Sequence, residues 1–142
     1  MRLLQIARDR WTVLVVAESD WSSDLLAVCE TPSETNLGAR MLSLLREHVP
    51  KNGPPGNREI SRGLGGGRFE FRKQPSKGAA LRVLYFFDKG QVIVCSNAFW
   101  KKTDKTPTTE LKRLDDAMAE YEAAKRNGQL EIRSWKPLTE IE

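Results

Sequence analysis

Residues Trp11 to Ala17 (WTVLVVA) form a short, β-branched apolar run, a pattern that predicts a central strand buried on both faces. Asp20 is placed to cap a helix carrying Trp21, Leu25, Leu26 and Cys29 along one side. Thr31, Pro32, Ser33 and Glu34 then read as a capping box with proline at the first helical position. The second helix follows, with Leu37, Met41, Leu44 and Leu45 on one stripe, and Pro50 is expected to stop it. Lys51 to Asn57 (KNGPPGN) is turn chemistry, and it separates the helical half from a half that reads as strands.

In that second half, Gly63, Leu64, Gly65, Gly66 and Gly67 suggest a phosphate loop, but no Lys-Ser/Thr pair and no helix follow, so a hairpin or bulge is expected. Arg68 to Lys73 (RFEFRK) alternates, which puts Phe69 and Phe71 toward a core and Arg68, Glu70 and Arg72 on the opposite face. Leu81 to Asp88 and Gln91 to Ala98 are apolar runs joined by the tight Asp88, Lys89, Gly90 turn, the pattern of an antiparallel hairpin. Thr106 and Pro107 open a long helix with Leu111, Leu114, Met118 and Tyr121 on its stripe, closed by Asn127 and Gly128. The expected order is strand, two helices, three strands, one helix. Leu130 to Trp135 is a further strand candidate without a derivable place, in a tail covering residues 129–142.

The chain has 142 residues, 39% hydrophobic and 30% charged, which suits one domain with a core of its own, residues 1–142. Runs such as Val13 to Ala17 and Val83 to Phe87 fall far short of the roughly 20 residues that cross a bilayer. Near the N-terminus, Arg8, Asp9 and Arg10 interrupt the apolar residues before a secretory core can form, so a cytoplasmic location with no membrane partner is expected. Cys29 and Cys95 each lie in an apolar stretch, where reduced, buried thiols are expected rather than a nucleophile.

Charge changes the picture more than composition does. Residues 58–105 carry eleven Lys or Arg against four Asp or Glu, a net +7, whereas the remainder carries twelve against fifteen. Strand pairing would gather Arg68, Arg72 and Arg82, with Lys101, Lys102 and Lys105 just past the last strand, into one cationic patch. Crowding like charges is costly unless a polyanion neutralises them, which points to phosphate as the partner, against the plainer reading of a solvated basic surface. Tyr85, Phe99 and Trp100 are candidate stacking surfaces for unpaired bases, against the plainer reading that they are core. His48, at the end of the second helix, suits the helix C-terminus better than catalysis. No cluster of residues has metal-ligand spacing, so neither a metal site nor a cofactor is expected.

Three stretches carry a resemblance: Phe69-Glu-Phe-Arg72, Leu81-Arg-Val-Leu-Tyr-Phe-Phe87, and above all Ala98-Phe-Trp-Lys-Lys-Thr-Asp-Lys-Thr-Pro107. Together they resemble the phage-derived HigB-like branch of the RelE/ParE toxin superfamily, over about Thr12 to Lys125 and most specifically over residues 69–107. The resemblance implies an α+β, RelE-like compact fold, with two N-terminal helices packed on a small, mainly antiparallel sheet and a C-terminal helix after it. It implies a type II toxin-antitoxin toxin, an mRNA interferase acting on messages at the ribosome without metal, with a helix-turn-helix antitoxin as partner. Carried across, the strand arginine that contacts the scissile phosphate is Arg82 and the basic pair after the last strand is Lys101 and Lys102. Arg72 matches another basic strand position, and Arg68 matches one less closely. Thr108 and Thr109 stand where some relatives carry a tyrosine, and Glu70 stands where a second strand lysine occurs, which leaves the general base open.

Transphosphorylation needs a base for the 2′-hydroxyl, stabilised phosphate oxygens and a protonated leaving oxygen. Arginine suits the phosphate because its planar fork binds two oxygens and keeps its proton, a role assigned to Arg82 with Arg72 in support. A lysine crowded by other cations gives up its proton more readily, so Lys101 and Lys102 are the acid and base candidates. The competing readings are a non-catalytic ParE-like toxin acting on a protein such as a topoisomerase, and a nucleic-acid-binding module without toxicity.

Overall fold

The computed structural model describes residues 1–75, 77–103 and 105–137. Its centre is a mixed sheet of seven strands among these residues, in the order β3-β4-β5-β6-β2-β1-β7. The strands are β1 (Arg2–Arg8), β2 (Thr12–Ala17), β3 (Ser61–Gly65), β4 (Arg68–Lys73), β5 (Ala80–Asp88), β6 (Val92–Lys101) and β7 (Glu131–Ser134). The helices are α1 (Asp24–Glu30), α2 (Leu37–Ser43), α3 (Val49–Asn52) and α4 (Thr108–Arg126), with a π-turn at Leu44–His48 joining α2 to α3. The pairs β1–β2, β3–β4, β4–β5 and β5–β6 are antiparallel, whereas β2–β6 and β1–β7 are parallel.

This arrangement corrects the expected fold. The α+β class holds, but two N-terminal helices on a small, mainly antiparallel, RelE-like sheet do not describe it. The chain opens with a β-hairpin where the sequence predicts a single strand at Trp11 to Ala17, because Leu3, Leu4 and Ile6 are buried on β1 and extend the sheet beyond β2. The tail adds β7 parallel to β1, giving the Leu130 to Trp135 candidate its place, while residues 138–142 of the tail lie outside the described residues. The sheet is therefore covered on both faces. Leu25, Leu37, Met41 and Leu45 pack with Val13, Val15, Phe71, Val83 and Tyr85 on one side, and Leu114, Ala117 and Tyr121 pack with Leu14, Leu84, Phe86 and Val94 on the other.

Local chemistry explains where the helices depart from expectation. Asp20 takes the Ser22 N–H and hydroxyl in a turn, and Ser23 instead caps α1 by accepting from the Leu26 N–H at 3.1 Å. Trp21, expected on the helix, lies before it at φ 68°. The capping box at Thr31 to Glu34 does not form, and α2 starts from Asn36, a residue type that tolerates the left-handed backbone found there at φ 52°. Pro50 does not end the helical segment. It lacks the N–H that an α-helix would require, and the chain widens into the π-turn, closed by Val49 N–H to the Leu44 carbonyl, before Pro50 enters the first turn of α3. Gly38 sits where α2 crosses α1, and a Cβ there would collide with the Cys29 carbonyl.

Other expectations match. β2 is central, the glycine stretch closes the β3–β4 hairpin, β5 and β6 form the long hairpin, and α4 buries Leu114 and Tyr121. Both cysteines are free and buried, and burial pushes the Cys29 thiol up to about 12, far from thiolate at neutral pH. Among the described residues, no helix is long and apolar enough to cross a membrane.

The last turns of α4 are fastened to the sheet through Asp88, which accepts from the Tyr121 hydroxyl and from Lys125 Nζ, each at 2.6 Å. Burial alone would raise the Asp88 carboxyl, but the hydrogen bonds from Lys125, Tyr121 and the Lys89 N–H outweigh it and hold the pKa below the ordinary value. A depressed folded pKa stabilises the protein above the unfolded value of about 3.9, and that contribution disappears as pH falls through the folded value. Asp88→Asn is therefore expected to lower stability by about 1–3 kcal/mol at pH 7. In thermal melts the difference from wild type should close toward pH 3, and a gap that does not depend on pH would assign the effect to packing instead.

Candidate phosphate-binding site

Alternation along β4 puts Phe69 and Phe71 on the α2 side and Arg68, Glu70 and Arg72 on the α4 side, as the RFEFRK pattern predicts. Cross-strand register then extends the second face. Arg62 of β3 is opposite Glu70, Arg72 is opposite Arg82, and Arg82 is opposite Phe99, with Lys101 two residues further along β6 on the same face. Three guanidinium groups from three neighbouring strands consequently gather around one carboxylate.

Glu70 is the centre of this group, with 0% exposure. Arg62 Nε donates to its Oε1 at 2.7 Å, Arg72 Nε lies 3.7 Å from the same oxygen, and Arg82 Nη1 lies 3.7 Å from Oε2. Arg82 also donates through Nη2 to the Thr103 carbonyl at 2.5 Å, which ties β5 to the segment after β6. A buried carboxylate is tolerated only when cations and donors surround it, and here they also hold neighbouring strands in register.

The residues expected to form the patch are separated by depth. Arg82 is 1% exposed and lies beneath the surface, whereas Arg72 and Arg62 are only partly buried and reach the edge of the group. Lys101 is half-buried at the end of β6, and Lys102 and Lys105 are exposed beyond it. Arg68 does not join the cluster. Its guanidinium makes a two-pronged contact with Asp115 of α4 at 2.8 and 2.6 Å, and these hydrogen bonds lower the carboxyl pKa and raise that of the guanidinium. Tyr85 is fully buried, with its ring stacked on Phe71 at 4.0 Å and its hydroxyl sharing a 2.7 Å hydrogen bond with Ser61, so it presents no face to a base. Phe99 is half-buried against the α4-side core, and Trp100 is exposed at 43%.

Two contributors were not foreseen in the sequence. Glu70 reads there as a departure from a basic pattern, yet it organises the arginines. Arg62 lies in a glycine-rich stretch that offers little periodicity, and only its pairing opposite Glu70 reveals it. His48 is exposed on the other side of the molecule, beside a cavity of about 370 Å³ lined also by Arg40, Glu47 and Lys73. Burial and the Arg40 charge lower the pKa of Lys73 there. Among the described residues, no group of three or more His, Cys, Asp or Glu is placed to hold a metal ion.

The arrangement makes a clear energetic prediction. Glu70→Ala removes the carboxylate shared by three arginines and is expected to destabilise the fold by about 3–5 kcal/mol, as for other broken buried ion pairs. Glu70→Gln, which keeps the shape and an acceptor oxygen, should recover part of that loss in urea denaturation. Wild-type stability in both variants would show that Glu70 does not organise the site.

Comparison with known proteins adds one positive finding. The profile of a family described as phage-derived protein Gp49-like (DUF891) matches residues 33–119, well over half of the chain, spanning α2 to the middle of α4 and the whole arginine group. No curated protein matches.

Proposed function

The chain belongs to the phage-derived Gp49-like family, within the RelE/HigB-like toxin group, and from that membership we propose that it is the endoribonuclease toxin of a type II toxin-antitoxin pair. The proposed reaction is metal-independent cleavage of messenger RNA, with the ribosome presenting the message and a helix-turn-helix antitoxin as the controlling partner. The observation that supports it is the convergence of Arg62, Arg72 and Arg82 on buried Glu70, with Lys101 on the same sheet face and Lys102 beside it.

In this reading the 2′-oxygen loses its proton and attacks phosphorus, the bond from phosphorus to the 5′-oxygen breaks, and a proton is delivered to that departing oxygen. Arg72, partly exposed on the rim, binds the phosphate oxygens, and Arg62 adds positive charge beside it. Arg82 acts from below. Its contacts to Glu70 and the Thr103 carbonyl hold β5, β4 and the segment after β6 in a fixed relation, making it a positioning residue. Lys101 and Lys102 exchange the protons, and Lys105, Phe99 and Trp100 extend the RNA contact past the end of β6.

The test is an assay of the purified protein on messenger RNA, with translating ribosomes in magnesium-containing buffer and without ribosomes in the presence of a chelator. Cuts inside translated frames that leave 2′,3′-cyclic phosphate ends are expected. Arg72→Ala and the double variant Lys101→Ala/Lys102→Ala should each slow cutting on the order of a hundredfold, the lysine variant melting near the wild-type temperature and Arg72→Ala below it because Glu70 loses one of its cations. Intact messages in arrested cells whose DNA replication has stopped would instead favour a non-catalytic toxin acting on a protein target.

A further inference from the structure

At the β3 edge of the sheet, on the face opposite the arginine cluster, a groove of about 510 Å³ runs between the strands and the loop that follows α3. Its size falls within the range of small-ligand sites. Phe69 and Phe87 form its aromatic wall, with the buried Tyr85 ring behind them, brought together because alternate residues of β4 and β5 share a face. Phe87 stands edge-on to Phe69 at 4.7 Å and to Tyr85 at 5.5 Å, and Trp11 supports it at 5.9 Å, so the ring is braced on several sides. It nevertheless remains 37% exposed. An exposed, immobilised aromatic ring in a concave surface is a binding feature, since rigid rings lose little entropy on contact.

Charge identifies the occupant. Arg58 supplies the positive charge at the groove, which Arg62 lines while its guanidinium turns to Glu70 on the opposite face, and among the described residues no Asp or Glu lines it. An aromatic wall with a cationic rim fits a polymer that offers flat apolar faces spaced by phosphates, the chemistry of single-stranded nucleic acid. Arg62 also donates to Glu70, so the groove is continuous with the arginine cluster around the sheet edge.

We propose that this groove holds an unpaired RNA base against Phe87, with Arg58 beside the adjoining phosphate, as a second contact for the strand held at Arg72. The inference rests on the ribonuclease reading and extends it, because a base inside a duplex has no free face to offer this ring. The protein therefore selects single-stranded message through a surface apart from the reacting atoms.

The experiment uses the full-length protein and a 2′-O-methyl oligoribonucleotide, which lacks the attacking hydroxyl, with binding followed by fluorescence anisotropy. The single strand should bind more tightly than its duplex, Phe87→Leu should weaken the single strand on the order of tenfold, and Phe87→Trp should restore it. In parallel, wild-type protein is photocrosslinked to the same oligonucleotide carrying 5-iodouridine, which keeps the test independent of how the variants fold. Adducts on the peptides containing Arg58 or Phe87 are expected. Wild-type affinity in Phe87→Leu together with weakened binding in Arg72→Ala, or adducts confined to residues 99–105, would overturn the groove and leave the nuclease site standing. Absence of RNA binding by the wild type would overturn the groove, while the nuclease reading stands or falls on the cleavage assay with translating ribosomes.

Discussion

A single buried carboxylate allows this sheet to concentrate positive charge. Arg72 and Arg82 are directly opposed on neighbouring strands, a pairing that repels unless something offsets it, and Arg62 approaches from the next strand out. Glu70, at 0% exposure, lies among all three. Remove the carboxylate and the strands would carry crowded like charges; remove the arginines and the carboxylate would be buried without cations. Each makes the other tolerable, so the cationic site and the stability of that end of the sheet are one interaction.

The rest of the fold presents this group along one rim. Helix α4 lies over the same face, held near its start by Arg68 to Asp115 and by Asn97, whose side-chain amide donates to the Glu110 carboxylate at 2.9 Å. Its far end is held by Asp88 through Tyr121 and Lys125. Lys101 and Lys102 fall beside the start of α4, where Arg82 reaches the Thr103 carbonyl. Depth then divides the labour: Arg82 serves the scaffold, while Arg72, Arg62 and the lysines lie nearer solvent.

The two edges of the sheet differ in the same functional sense. At one edge the tail pairs β7 with β1, and Arg2 and Arg133 stand over the Trp21 ring at 5.1 and 4.2 Å. This cation–π contact accompanies a backbone at φ 68°, a conformation a large side chain adopts only when its surroundings hold it. At the other edge, β3 is short and glycine-containing, and beside it lies the groove with Phe87. One edge is the exposed tail strand β7, and the other combines cationic and aromatic groups.

By itself the sequence determined what local periodicity and turn chemistry can encode: the strands at 12–17, 68–73 and 80–88, the β5–β6 hairpin, the amphipathic α4, and the division of β4 into an aromatic face and a charged face. It also carried the segment of excess positive charge and the motifs that resemble a toxin family. Tertiary structure decided matters that depend on residues distant in the chain. Whether Arg2–Arg8 and Glu131–Ser134 became strands depended on a neighbour with free backbone groups, and the two pair with each other across most of the chain length. Burial depth separated Arg82 from Arg72 and withdrew Tyr85 from solvent, although all three read alike as strand residues. Glu70 shows the difference most directly: in the sequence it interrupts a basic run, and only register, which places Arg62 across from it and Arg82 within ion-pair distance, turns that interruption into the centre of the site.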